Sequence, residues 1–213
     1  MSAALPISCR SCGAHCDGAP APMLCPSCGA VLPVHPRTTP FALLGMARPR
    51  FAVAPSDLER AWLDRSRRVH PDRFAGKSEA ERRCAAEQIA ALNDAKRAIF
   101  EPFDRARWLV SSAGVASARL DQALLAEMME LREGVEAEPA SRERVVAEVS
   151  ARVRARLTEL TTTLAPLDLA DDGYATPSPA LRRAAALLAE MKTLARLVAD
   201  LGGGKLIGAL DDR

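Results

Sequence analysis

Two Cys-x-x-Cys pairs, Cys9-Arg-Ser-Cys12 and Cys25-Pro-Ser-Cys28, constrain the start of this chain more than any other feature. A CxxC turn aims two thiolates at one point. Gly13 and Gly29, each directly after a pair, let backbone amides bend toward the sulfurs. Two such turns with twelve residues between them predict a closed tetrahedral S4 site, the donor set and geometry of structural zinc. The predicted ligands are Cys9, Cys12, Cys25 and Cys28. About thirty residues hold too little core to fold unaided, so the metal supplies the folding energy of this knuckle. His15 and Cys16 lie in the same loop as alternative ligands, though an exposed imidazole and a free thiol are the simpler roles. A redox dithiol needs one CxxC, normally on a βαβ unit, and none is visible.

The rest of the chain has a different texture. Of 213 residues, 48% are hydrophobic and 26% charged, while aromatics are only 4% and 41 residues are alanine. That mixture favours helices over sheets. The formal charge of +2 is too balanced for a protein living on nucleic-acid phosphates. It hides a gradient, because residues 116–213 carry 13 basic and 16 acidic groups, leaving 16 and 11 for residues 1–115. No apolar run reaches the roughly 18 residues of a membrane span. The opening MSAALPIS lacks the features of a secretion signal and the arginines of a transit peptide. A reducing, cytoplasmic setting is therefore expected, where clustered cysteines hold metal.

Residues 1–37 form the knuckle and a linker bracketed by Pro33, Pro36 and Pro40. Residues 38–115 read as short helix, long helix, loop, long helix, short helix. The first helix fits Pro40-Phe-Ala-Leu-Leu-Gly, with Gly45 closing it. Ser56 or Asp57 is expected to cap the second, which places Leu58, Trp62, Arg65 and Val69 on one face and stops at His70-Pro71. Ser78 with Glu81 reads as a capping box for the third, whose apolar face is Ile89, Leu92, Ala95 and Ile99. Cys84 within it reads as a small packed residue. A short helix follows Pro102 and ends near Gly114. Residues 116–213 then contain three amphipathic stretches, 119–136, 139–165 and 178–201, predicting an antiparallel three-helix bundle. The whole is mainly α, with a small N-terminal zinc knuckle.

The loop between the two long helices holds His70-Pro71-Asp72, with Arg65, Arg67 and Arg68 before it and Arg73 after it. With Leu92-Asn93-Asp94-Ala95 in the following helix, this segment resembles a J-domain. That resemblance implies a helical hairpin stimulating the ATPase of a DnaK-type chaperone, with His70, Pro71, Asp72, Arg65, Arg67, Arg68 and Arg73 as the chaperone-binding set. A proline-stiffened loop has little entropy to lose on docking, and arginines suit an acidic partner.

Pro40-Phe-Ala-Leu-Leu-Gly, HPDRFA at 70–75, Pro102-Phe-Asp-Arg-Ala-Arg-Trp-Leu-Val and Met128-Met129-Glu130-Leu131-Arg132-Glu133 are similar to HscB-type co-chaperones of iron–sulfur cluster assembly. The resemblance spans about residues 39–200, and the CxxC pairs are similar to the zinc-bearing members. It implies an IscU-type scaffold bound by Leu125, Ala126, Met129, Glu130, Glu133 and Met191, and delivered to a DnaK/HscA-type chaperone. Ala126 is smaller than the family's usual residue, and Met191 stands where an aromatic is common. Leu124, Met128, Leu131 and Val135 already form one apolar stripe. Leu125 and Met129 are therefore either a widening of that core face or an exposed patch.

Gly202-Gly203-Gly204-Lys205 lacks the glycine and hydroxyl that a phosphate loop needs, and reads as a fraying helix end. No acid–base or nucleophile team is readable, so the chain is not expected to be an enzyme. Two alternatives predict other partners: a general J-domain protein delivering unfolded clients, and a zinc-ribbon nucleic-acid binder. Against the latter, residues 9–28 carry one base, Arg10, and one acid, Asp17.

Overall fold

The computed structural model describes residues 7–16, 20–167, 177–204 and 206. The opening octapeptide (in part), Asp17, the connection expected across Leu167–Pro179 (in large part) and Lys205 lie outside these residues. The described residues fall into two compact units, one ending at Phe100 and one starting at Glu101.

The first unit begins with two short β elements. Strand β1 (Ile7–Ser8) pairs antiparallel with β2 (His15–Cys16), and Leu24 bridges Val31 in the same sense around the second CxxC. The unit continues with α1 (Pro40–Leu43), α2 (Pro55–Arg68) and α3 (Glu79–Ile99). Thr39 caps α1 by accepting from the Ala42 amide at 3.1 Å. Helix α2 starts earlier than expected: Ala54 is its cap and Pro55 its first residue, rather than Ser56 or Asp57. Proline at the first position has its φ preset and loses no bond, which outweighs a hydroxyl or carboxylate one residue later.

The capping box of α3 forms as read, with Ser78 Oγ accepting from Glu81 N at 3.3 Å and Glu81 Oε2 accepting from Ser78 N at 3.3 Å. The face of α3 that is buried is Ala85, Gln88, Leu92, Ala95 and Ile99; Ile89 is only half-buried. Helices α2 and α3 run antiparallel, since Lys96 near the end of α3 meets Glu59 near the start of α2 at 3.3 Å. Phe41, Leu58, Leu92 and Ile99 are completely buried between the three helices.

The second unit holds α4 (Pro102–Ser112), α5 (Gln122–Ala137), α6 (Arg142–Leu164) and α7 (Pro179–Asp200). The three long helices alternate in direction. Arg183 at the start of α7 pairs with Glu159 late in α6 at 3.0 Å, and Arg132 late in α5 meets Asp200 at the end of α7 at 2.8 Å. Helix α4, grouped by sequence with the hairpin, packs on α6 and α7. Gly202 and Gly203, expected as part of a fraying helix end, instead fold back onto α7. Gly202 turns at φ +79°, Gly203 N donates to Val198 O at 2.8 Å, and a Cβ on Gly203 would stand 2.5 Å from Val198 Cγ1 and 3.0 Å from Val146 Cγ1. A left-handed turn that folds the chain back onto the helix needs glycine there.

Candidate functional site

The hinge between α2 and α3 is built from its two ends inward. Val69 and Phe74 are buried, while all four residues between them, His70 to Arg73, are exposed. Proline after His70 forces that residue into extended backbone (φ −58°, ψ 133°), and Pro71–Phe74 then make one 3-10 turn. Arg73 N donates to His70 O at 3.0 Å, and Asp72 N makes a longer contact to His70 Nδ1 at 3.4 Å. Asp72 Oδ2 also lies 3.4 Å from the same Nδ1, so Asp72 meets the imidazole at this one ring nitrogen through both its amide and its carboxylate. The result is a rigid projection pinned by two apolar anchors. Val69 reads from sequence as part of the apolar face of α2, whereas Phe74 is not singled out there as an anchor, although an apolar residue directly after His-Pro-Asp-Arg is the readable signal.

The predicted arginines divide. Arg67, Arg68 and Arg73 are exposed. Arg65 is not presented in that way: its Nη1 donates to Ala21 O at 2.9 Å, and burial, with Arg68 close by, holds its guanidinium down to about 10.

The four cysteine sulfurs of the CxxC pairs lie within 4.8 Å of one another. The two turns repeat the same geometry. Cys9 N donates to Ala14 O and Cys25 N to Ala30 O, both at 2.8 Å, and Gly13 and Gly29 turn at φ +74° and +73°. Backbone amides of Cys28 and Ser27 act on the Cys25 thiol, and despite burial it falls to about 6. The Ala14 amide lowers Cys12 in the same way, yet Cys28, burial and the other thiols push it up to about 12. Four thiolates this close cannot all ionise unless a cation balances them, so the donor set fits a metal. Among the described residues this is the one such cluster. His15 is exposed beside Ser8 Oγ at 3.3 Å. Cys16, expected simply as a free thiol, packs into the knuckle core with Ile7, Ala30 and Leu32.

Helix α5 resolves the question its sequence left open. Met128 and Val135 are buried and Leu124 and Leu131 half-buried, whereas Leu125, Ala126, Met129, Glu130 and Glu133 are all exposed on one face. Leu125 is 42% and Met129 64% exposed, two of three large exposed hydrophobics among the described residues; the third is Leu63 on α2. A second apolar stripe offset by one residue points about 100° from the first, and here it meets no helix. Met191 is a correction. It is completely buried, on the α7 face that also carries Leu187, Leu188 and Leu194, so its side chain is core and not surface. Helix α7 is packed by both α4 and α6, which leaves it too narrow a free face for that position.

A family model described as the HSCB C-terminal oligomerisation domain matches residues 120–201, which contain α5, α6 and α7. The "Co-chaperone protein HscB homolog" of Bordetella pertussis is 44% identical over 98 residues, covering 44% of this chain and 57% of its own length. The chain thus spans little more than half the length of that relative. The protein of the same name from Bordetella petrii is 37% identical over 132 residues, covering 60% of this chain and 76% of its own length. The crystal structure of human co-chaperone protein HscB superimposes with a TM-score of 0.74 at 22% identity, over 91% of this chain and 96% of that one, a likeness of fold. The relative from Bordetella petrii, 37% identical and covered over 76% of its length, together with the family model over the C-terminal bundle, leads to one assignment: the chain belongs to the HscB co-chaperone family.

Proposed function

We propose that this chain is a co-chaperone that stimulates the ATPase of a DnaK/HscA-type chaperone and delivers to it an IscU-type iron–sulfur scaffold for cluster transfer. The observation that carries the reading is the projecting hinge, four exposed residues held between the buried side chains of Val69 and Phe74. Such a hinge acts by binding one state of a partner in preference to another, so it shifts the partner's population and performs no chemistry itself. His70, Pro71 and Asp72 make the contact, with Arg67, Arg68 and Arg73 supplying charge toward an acidic surface. Arg65 is assigned a supporting role.

The scaffold docks on the α5 face, where Leu125 and Met129 provide apolar area bordered by Ala126, Glu130 and Glu133. The knuckle takes zinc through Cys9, Cys12, Cys25 and Cys28, whose thiolates supply a closed structural site. Within this reading the functional division stays at residues 1–37, 38–115 and 116–213, in a cytoplasmic, reducing setting. Exposure of an apolar pair confined to one helix supports a single defined partner over general capture of unfolded clients.

The test is single-turnover ATP hydrolysis by a DnaK/HscA-type chaperone with the full chain added. His70→Gln is expected to abolish stimulation and leave helicity by circular dichroism intact. Undiminished stimulation by that variant rejects the reading.

A further inference from the structure

Two side chains of the hairpin reach the backbone of the knuckle, so the proline linker is not the only connection between them. Gln88 lies on the buried face of α3, is 2% exposed, and donates from Nε2 to Leu32 O at 2.7 Å. Its Oε1 is buried without a partner in the structure. A buried amide of this kind is tolerated only because of the one bond it makes. On α2, Arg65 donates to Ala21 O at 2.9 Å, with a longer contact to Pro20 O at 3.5 Å. Gly45 makes room for this arrangement, since a Cβ there would stand 2.9 Å from both Nε and Nη2 of Arg65.

Both acceptors flank the second metal turn. Ala21 precedes Cys25 by four residues and Leu32 follows Cys28 by four. The two arms are joined by Leu32 N donating to Met23 O at 2.9 Å and by the Leu24–Val31 bridge. Their positions are therefore set by the turn whose sulfurs bind the cation.

We infer that metal loading of the knuckle and folding of the α2–α3 hairpin are one cooperative unit, coupled through Gln88 and Arg65 as positioning residues. This rests on the proposed zinc site and goes beyond it. When the knuckle loosens, the Leu32 and Ala21 carbonyls leave, and a buried amide and a part-buried guanidinium lose their acceptors. Linkage makes the effect mutual: what the cation contributes to the hairpin, the hairpin returns as affinity for the cation.

The experiment uses the full chain, zinc(II) as probe and a chromophoric chelator as competitor. Chelation is expected to increase hydrogen exchange at the amides of α2 and α3, and to lower the melting midpoint by about 4 °C or more. Gln88→Met, which touches no ligand, is expected to weaken zinc binding at least about fivefold, the lower range for leaving a buried carbonyl unpaired. It should also shrink the chelator-induced shift. A residue that only fills the face of α3 would lower the melting midpoint and leave zinc affinity unchanged, and that result overturns the coupling. Should Gln88→Met not fold, Arg65→Met and the response of the native chain make the same comparison. No zinc uptake by the native chain overturns the metal reading itself. Zinc uptake with hairpin amides indifferent to chelation overturns the coupling alone.

Discussion

The ammonium of Lys96 stands 3.9 Å from the centre of the Trp62 ring, two helical turns along α2 from the hinge. The same nitrogen is 4.8 Å from the centre of the Phe100 ring and 3.3 Å from Glu59 Oε2. One cation thus ties α3 to α2 through an aromatic face and a carboxylate. Such a contact contributes about 1 kcal/mol when half-exposed. Lys96→Met and Trp62→Leu should each destabilise the chain, and the double variant should lose less than their sum by at least about 0.5 kcal/mol. Urea denaturation of the four proteins measures this; strict additivity would show that the stacking contributes nothing.

Neighbouring methionines on α5 should behave in opposite ways. Leu125→Ala with Met129→Ala is expected to weaken scaffold binding by more than about 1 kcal/mol with little change in melting temperature. Met128→Ala, buried one position away, should instead lower stability by about 2 kcal/mol or more. Met191→Ala should resemble Met128→Ala. Calorimetric titration against an IscU-type scaffold, paired with thermal melts, separates the two outcomes.

Purified protein should carry one zinc per chain by metal analysis. Cys9→Ser with Cys28→Ser should remove it, because together they take one sulfur from each CxxC turn and the remaining pair cannot close a tetrahedral site. The α4–α7 bundle should keep its own unfolding transition in that variant. Retention of zinc would mean that other residues bind it.

Two carboxylates of the second unit should give stability opposite pH dependences. Burial raises the pKa of Asp104 in α4, although Arg107 lies 2.9 Å away. Its folded state therefore favours the proton, and its carboxylate weakens the fold as pH rises through the interval above the ordinary aspartate value. Glu159 is the reverse. Hydrogen bonds from Arg183 lower it, so its contribution is present above the ordinary glutamate value and is lost as pH falls through the lowered one. Asp104→Asn should raise the melting temperature at pH 7, a gain that disappears in acid. Glu159→Gln should cost about 0.5 kcal/mol at pH 7, being part of an exposed network, and nothing at low pH. Melts between pH 3 and pH 7 test both signs.

Local chemistry made much of this protein legible before any coordinates. The paired CxxC turns, the capping box at Ser78 and Glu81, the helix stop at His70-Pro71 and the 3.6-residue periods each depend on residues within a few positions of one another. Their outcome follows from short-range geometry. The placement of Arg65, Gln88 and Met191 does not. Arg65 reads as one more surface arginine until Ala21, 44 residues away in sequence, supplies its acceptor. Gln88 lies just before the stripe read as Ile89, Leu92, Ala95 and Ile99 and is not part of it, yet it is buried because Leu32, 56 residues away, makes it a bond. Met191 lies on a helix whose free face depends on which neighbours pack against it. Periodicity orients side chains around one helix axis, but only the packing of distant segments decides which directions are water and which are protein.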